Sequence, residues 1–246
     1  MGKYKVLLLA GGVGGAKLAE GFSNLSTVEL SILGNIGDDD EFYGLWVSPD
    51  IDTMLYTLSE RVNQVRNWGM NFIHGDILDK DLIKKHCKDA DVVHHLAGIT
   101  DVPRVKSESN NEHDLKIKMV AEKGTQNILD CISDKCKIIL PSTHVVYEGI
   151  EKVKNNILEE ESTKPILSYS SSKALNENQL KNSGKNYIIL RLGSVYGYST
   201  DTARIDIMPN LFSKVASQNG TLKLFSGGKQ IKSLVPLVDV ARCFKF

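Results

Sequence analysis

Short apolar runs that end in small or hydroxyl residues alternate with longer helical stretches along this chain, and that alternation most constrains what it can fold into. Lys5 to Ala10 reads as a buried strand, and Gly11-Gly12-Val13-Gly14-Gly15-Ala16-Lys17 follows it and opens a helix. Thr27 to Gly34 reads as the second strand and Phe72-Ile73 as a short third. After these the spacing predicts a helix over Asp79 to Cys87, a strand over Val92 to Leu96, and a long helix over Glu112 to Ile132. A strand at Ile138 to Leu140, a helix over Ser168 to Lys181 and a strand at Tyr187 to Leu190 complete the series. Strands separated by helices specify a parallel sheet covered on both faces, an α/β doubly wound architecture. Further on, Met208 to Gly220 reads as an amphipathic helix and Gly227 to Gln230 as a turn. With 246 residues, the chain can bury a core in one such domain, or in one large and one small lobe.

Several function classes recede on composition. Thirty basic and thirty acidic residues give a formal net charge of +0, so nothing advertises a nucleic-acid or anionic-membrane partner. No apolar stretch approaches the ~20 residues that a membrane helix needs, and the expectation is a cytoplasmic protein with a small-molecule substrate. Cys87, Cys131, Cys136 and Cys243 form no C-x-x-C and have no histidine at zinc-ligand spacing. His94 and His95 are adjacent on a predicted strand, so they point to opposite faces and cannot grip one ion. No metal is expected from this set. His94 reads as structural, with His95 nearer the ligand crevice.

Chemistry enters with Tyr169-Ser170-Ser171-Ser172-Lys173. Residues four apart share a helix face, so a phenol and an ammonium stand together. The cation favours the phenolate and makes the phenol a candidate general acid/base for a substrate hydroxyl. Upstream, the strand Ile138-Ile139-Leu140 runs into Pro141-Ser142-Thr143-His144, and downstream Asn186 to Leu190 runs into Arg191-Leu192-Gly193-Ser194. In parallel α/β sheets ligands sit at the carboxyl ends of strands, where these small and hydroxyl residues lie. His144 and Ser194 are candidate substrate contacts, a backbone-satisfied loop histidine being the structural alternative for His144. For Arg191, an ion pair or backbone clamp weighs equally with substrate contact.

From about Asn71 to Phe246 the chain resembles an extended short-chain dehydrogenase/reductase of the NAD-dependent epimerase/dehydratase type. The matching pieces are Gly75-Asp76-Ile77, His95-Leu96-Ala97-Gly98, Ser142-Thr143 ahead of Val146-Tyr147, Tyr169 with Lys173, and Arg191 to Gly197. The resemblance implies a Rossmann-like sheet, NAD or NADP as cofactor, and a substrate lobe at the C-terminal end. It implies Tyr169 as acid/base, Lys173 as the residue that tunes it and binds the nicotinamide ribose, and Thr143 as the residue orienting the substrate oxygen. It places Asp76 and Ile77 beside the adenine and has Leu96, Ala97 and Gly98 line the cofactor. A homodimer through the two long helices is a family expectation. That family usually carries an arginine near Ser233, where this chain has Lys232; lysine cannot make arginine's bidentate phosphate contact.

The first block departs from that pattern. Glycines after a strand let backbone amides approach a phosphate at a helix N-terminus, which makes Gly11, Gly12, Gly14 and Gly15 cofactor-binding candidates. Yet Ala10 stands where the dehydrogenase loop has Thr, and Lys17 where it has its final Gly. Residues 1–69 instead resemble the start of the 2-phospho-L-lactate transferases of deazaflavin-coenzyme biosynthesis. That likeness runs through Asn35-Ile36-Gly37-Asp38-Asp39 and Val47-Ser48-Pro49-Asp50-Ile51-Asp52-Thr53. Asp50 and Asp52 are hard oxygen donors suited to Mg²⁺ beside phosphates, and a capped acidic helix start is the structural alternative. Asp38, just past the second strand, is a candidate ribose ligand.

The chain thus reads as two partial families joined near Trp68 to Asn71: a Gly-loop segment over 1–69, a dehydrogenase-like core over 70–200 and a partial, truncated substrate lobe over 201–246. Natural recombination, an assembly artefact and an artificial chimera are all compatible with such a join. The expected function is hydride transfer at a sugar or nucleotide-sugar hydroxyl. The alternatives are phosphotransfer by the first block and a nucleotide-binding protein without catalytic activity.

Overall fold

The computed structural model describes residues 3–23, 25–34, 40–42, 45–47, 71–99, 111–151, 153–197, 207–228 and 231–244. It divides into two units, Met1–Leu190 and Arg191–Phe246. In the first, β1 (Tyr4–Ala10), α1 (Gly12–Ser23) and β2 (Val28–Gly34) are followed by a small antiparallel pair, β3 (Asp40–Phe42) and β4 (Leu45–Val47). Next come β5 (Asn71–His74), α2 (Lys80–Cys87), β6 (Val92–His95), α3 (Asn111–Cys131) and β7 (Lys137–Thr143). A 3₁₀ turn over His144–Tyr147, α4 (Ser168–Asn182) and β8 (Asn186–Leu192) complete the sheet, whose order is β5-β2-β1-β6-β7-β8. β1 pairs in parallel with both β2 and β6, β2 with β5, and β6 with β7. Strands from both sequence blocks therefore share one Rossmann-like sheet. The segment where the two resemblances meet, 48–70, lies outside the described residues.

Residue type dictates why these strands sit at the centre. Val6 to Ala10 is an unbroken buried run, as a strand covered on both faces requires. Side chains alternate between the faces. Leu7, Val93 and Ile138 are aligned across three strands and join Ile83, Val120, Ile128 and Ile132 in the core beneath α2 and α3. One position on, Ile32, Leu8, His94 and Ile139 form the row on the other face, where the His94 ring lies 4.7 Å from that of Phe22 on α1. The two adjacent histidines do point apart.

α1 lies on β1 and β2 through Gly15, Ala16, Ala19 and Phe22, which are all buried. Small residues on that face allow the close approach, and Lys17 lies beside it, partly exposed. Asp79 is the N-cap of α2, its carboxylate accepting from the Leu82 amide at 3.0 Å. This is why the helix starts one residue later than the spacing predicts. α3 seats the turn after β5: Asn127 Nδ2 donates to the carbonyls of Ile77 (3.0 Å) and Leu78 (3.2 Å). A Cβ on Gly124 would lie 2.2 Å from Ile77 Cδ1, so the helix passes the turn at a distance that only glycine gives.

The second unit holds β9 (Ser194–Tyr196) and β10 (Leu234–Pro236), paired in parallel, with α5 (Met208–Ser217) and α6 (Leu237–Phe244). α5 stops short of Gly220 because Asn219 takes a left-handed φ of 53° and the Gly220 amide bonds back to the Val215 carbonyl at 2.9 Å. The expected turn at Gly227 opens as a 3₁₀ turn over Phe225–Gly228; Lys229 and Gln230 lie outside the described residues. No helix among the described residues is long and apolar enough to cross a membrane.

Between the 3₁₀ turn and α4 the chain makes a long excursion closed at its base. The Lys164 amide donates to the Val146 carbonyl at 2.7 Å and the Gly149 amide to the Lys164 carbonyl at 2.8 Å. A Cβ on Gly149 would stand 2.6 Å from the Lys164 carbonyl oxygen. Gly149→Ala is therefore expected to destabilise the protein by about 1–3 kcal/mol, read as a lower urea midpoint together with faster proteolysis within 150–163. An unchanged midpoint would contradict this contact.

Candidate active site

The strand order reverses at β1, whose neighbours β2 and β6 lead away on opposite sides, and in open α/β sheets ligands bind beyond the carboxyl ends of the strands at such a point. Gly11 and Gly12 carry the chain out of β1. Gly12 has a φ of 62°, in the left-handed region that favours glycine, and α1 begins at that residue, so its first-turn amides are available to an anion. A Cβ on Gly14 would meet nothing within 4 Å, which leaves open space beside those amides. On the β6 side, the Leu96 amide donates to the Leu9 carbonyl at 2.9 Å. Ala97 is buried, and a Cβ on Gly98 would also meet nothing within 4 Å. Partial burial lowers the pKa of Lys17 from the usual lysine value.

α4 packs on α3, β7 and the 3₁₀ turn, and its buried face is mostly polar. Ser170, Ser172, Lys173, Asn176 and Glu177 are buried there beside Ala174 and Leu180. Buried polar groups are costly unless paired, and most of these are. Ser142 Oγ on β7 donates to Glu177 Oε1 at 2.5 Å, and Lys181 Nζ lies 3.6 Å from the other carboxylate oxygen. Asn176 Nδ2 donates to Thr125 Oγ1 at 2.8 Å and to the Ala121 carbonyl at 2.9 Å, both on α3. Thr125 Oγ1 is in turn 2.9 Å from His95 Nε2. The chain of contacts joins β6, α3 and α4.

Ser172 and Lys173 are the exceptions, and Lys173 carries the charge. It is 8% exposed, and among the described residues it makes no hydrogen bond. Burial without a partner penalises the ammonium and pushes its pKa down to about 8. His95, buried and facing that cation, is pushed down to about 3, chiefly by burial and then by Lys173, so its imidazole is neutral. Ser172 Oγ and His95 Nδ1 are fully buried without a hydrogen-bond partner among the described residues.

Two tethers bracket the other candidate groups. β7 is fastened to α4 by the Ser142–Glu177 bond, and the end of the 3₁₀ turn is fastened to the start of α4 by Glu148, whose Oε1 accepts from the Ile166 and Leu167 amides at 2.7 Å each. Thr143 is next to Ser142. It is buried, and its Oγ1 accepts from the Val145 amide at 3.2 Å as the cap of the 3₁₀ turn. His144 is the first residue of that turn. Tyr169, partly buried, is next to Ser170 and one helical turn before Lys173.

The remaining sequence candidates have surroundings of their own. The Ile77 side chain lies in the apolar core, 1% exposed. The Asp76 carboxylate accepts from the Leu78 amide at 2.8 Å. Ser194 belongs to the second unit, where its amide donates to the Ser233 carbonyl at 2.8 Å. Asp38, Asp50 and Asp52 lie outside the described residues. Among the described residues no group of three His, Cys, Asp or Glu could hold a metal ion.

Comparison with known proteins bears on the whole arrangement. The model of the NAD dependent epimerase/dehydratase family matches residues 51–246. The chain belongs to that family. UDP-glucuronic acid 4-epimerase from Bacillus cereus, solved with UDP-glucuronic acid and NAD, superposes with a TM-score of 0.72 at 22% identity, over 97% of this chain and 71% of that one; this likeness is one of fold. Among curated relatives, a phosphoenolpyruvate transferase from Streptomyces griseus subsp. griseus is 39% identical over 66 residues, 26% of this chain and 21% of its own length. A 2-phospho-L-lactate transferase from Methanopyrus kandleri is 44% identical over 66 residues, 27% of this chain and 21% of its own length. The chain thus spans about a fifth of the length of these curated relatives.

Sequence reasoning missed Glu148, Glu177, Thr125 and Asn176. Glu177 continues the spacing of four from Tyr169 and Lys173 along one helix face, a readable signal. Thr125, Asn176 and Glu148 act across distant segments and leave no local trace.

Lys173 makes pH dependence a test of this face of α4. A lysine whose folded-state pKa lies below its unfolded value of 10.5 costs stability wherever the folded form is charged. The cost is fully present below pH about 8 and is relieved as pH rises from there toward 10.5. It is on the order of 3 kcal/mol. Lys173→Met is therefore expected to melt above wild type near neutral pH, with the gap closing above about pH 10. A lower melting temperature in the variant near neutral pH would contradict the buried, unpaired ammonium.

Proposed function

We propose that this chain catalyses NAD(P)-dependent epimerase/dehydratase-type chemistry at a hydroxyl of a sugar or nucleotide sugar. The observation that carries the reading is the buried Lys173 ammonium, unpaired among the described residues, one turn from Tyr169 on α4. Unpaired buried charge marks a site built for something else to fill. The open glycines at the ends of β1 and β6 fit a dinucleotide: amides at the start of α1 for its phosphates, and no side chain beside Gly14 or Gly98 to obstruct it.

In this reading Gly11, Gly12, Gly14 and Gly15 hold the phosphates, Leu96, Ala97 and Gly98 line the groove, and Lys173 binds the nicotinamide ribose. NAD or NADP, when bound, accepts and returns the hydride. Tyr169 takes the proton from the substrate hydroxyl and gives it back, and the Lys173 ammonium stabilises the deprotonated phenol. Thr143 holds the substrate oxygen, and His144 borders the sugar. His95 stays neutral and adds no charge that would compete with Lys173.

Tyr169→Phe is expected to lower turnover about 10²–10⁴-fold while NADH and NADPH binding, followed by fluorescence, stays at wild-type strength. Wild-type turnover in this variant, tested with UDP-glucuronic acid, would overturn the assignment. A second reading, 2-phospho-L-lactate transferase-like phosphotransfer, is supported by the 44% identity over 66 residues. It requires GDP with Mg²⁺ to bind tightly and Asp50→Ala to abolish that binding. Binding of reduced nicotinamide with no turnover of any nucleotide sugar would favour a catalytically inactive nucleotide-binding protein.

A further inference from the structure

We propose that Glu148 is a positioning residue for Tyr169, capping α4 from outside the helix and fixing the phenol's turn to the strand end that carries Thr143. This rests on the reading of Tyr169 as the acid/base.

A helix start leaves its first amides without partners, and α4 supplies none of the usual remedies. Its N-cap residue is Leu167, which offers no side-chain hydrogen bond, and its first turn contains no acid. Tyr169 is the second residue of this helix. The alignment of Tyr169 with Lys173 exists only while that first turn is wound, so the candidate acid/base occupies the turn most prone to fray.

Glu148 supplies the missing cap. Its Oε1 accepts from the Ile166 and Leu167 amides at 2.7 Å each, and the Ser170 hydroxyl donates to the same oxygen. A carboxylate at a helix N-terminus is also favoured by the helix dipole. The three donors flank Tyr169 on both sides in sequence. The other end of the clasp is equally fixed. Glu148 closes the 3₁₀ turn that Thr143 caps, its amide donating to the Val145 carbonyl at 3.0 Å. One oxygen atom therefore connects the Thr143 end of β7 to the Tyr169 turn across 18 to 22 residues of sequence.

The competing possibility is a strut that merely closes the excursion between residues 149 and 165. Three variants separate the two. Glu148→Gln keeps an accepting oxygen and is expected to retain kcat with UDP-glucuronic acid within severalfold. Glu148→Ala is expected to lower kcat about tenfold or more, since small misplacements of a reacting group are costly, with NADH affinity unchanged. The phenol itself gives a readout that needs no substrate. The tyrosinate absorbance titration, taken as each protein minus its Tyr169→Phe counterpart, is expected to lie at higher pH in Glu148→Ala than in Glu148→Gln, which has lost the same charge. Ser170→Ala, which removes one donor and leaves the two amides, is expected to move the titration in the same direction by less, and serves if Glu148→Ala does not fold. A titration in Glu148→Ala no higher than in Glu148→Gln, or one unmoved in Ser170→Ala where that variant stands in, overturns the proposal, even where the melting temperature falls. Full activity in Tyr169→Phe overturns the acid/base reading instead, and the titration still decides the clasp.

Discussion

The constraint on which the site depends is the polar face that α4 buries against the sheet and α3. An apolar helix face would pack by area alone and tolerate sliding. A face made of Ser170, Ser172, Lys173, Asn176 and Glu177 has a register fixed by partners, because each group left unpaired costs free energy. Ser142 holds Glu177, Thr125 holds Asn176, and Glu148 holds Ser170. These contacts pin the helix at three heights, and Lys173 sits between them with no such partner among the described residues. The bonds of Ser170, Asn176 and Glu177 hold the helix in place, so it cannot move to relieve the lysine. Stability spent on an uncompensated buried charge is the usual signature of a functional site.

The sheet explains how two sequence resemblances coexist in one fold. β1 and β2 come from the block whose motifs resemble the transferases, whereas β5 to β8 fall within the epimerase/dehydratase match. What the sheet asks of β1 is generic: an apolar strand, parallel neighbours on both sides, and a helix with a small-residue face. Val6 to Ala10 and Gly15, Ala16 and Ala19 supply these. Lys17, where the dehydrogenase loop has its last glycine, is tolerated because Gly15, Ala16 and Ala19 carry the helix–sheet contact and Lys17 keeps part of its side chain in solvent.

Much of this architecture is legible in the amino-acid sequence, and for a simple reason. Central parallel strands are continuous apolar runs, so Lys5 to Ala10 and Val92 to Leu96 declare themselves, and the two-residue period of a strand already parts His94 from His95. Legibility fails where the determinant is a partner far along the chain or a side chain in an unexpected place. Asp79 is a cap and not a helical residue, and Asn219 ends α5 through its backbone conformation. The polar face of α4 has no hydrophobic period to read, so Tyr169 and Lys173 stand out only as a motif, while Asn176 and Glu148 do not stand out at all. The core position of the Ile77 side chain is likewise unreadable locally, because the glycine at 124 opens a seat for it on α3.

The titration of one group tests the site most directly. Nitrogen NMR of the Lys173 side chain in the ligand-free protein, assigned by its loss in Lys173→Met, measures that group alone. A midpoint near 8 is expected for the buried, unpartnered ammonium. A midpoint at the ordinary lysine value of 10.5 would mean that the ammonium is solvated or paired, and the reading of α4 as the wall of a cofactor site would fail with it.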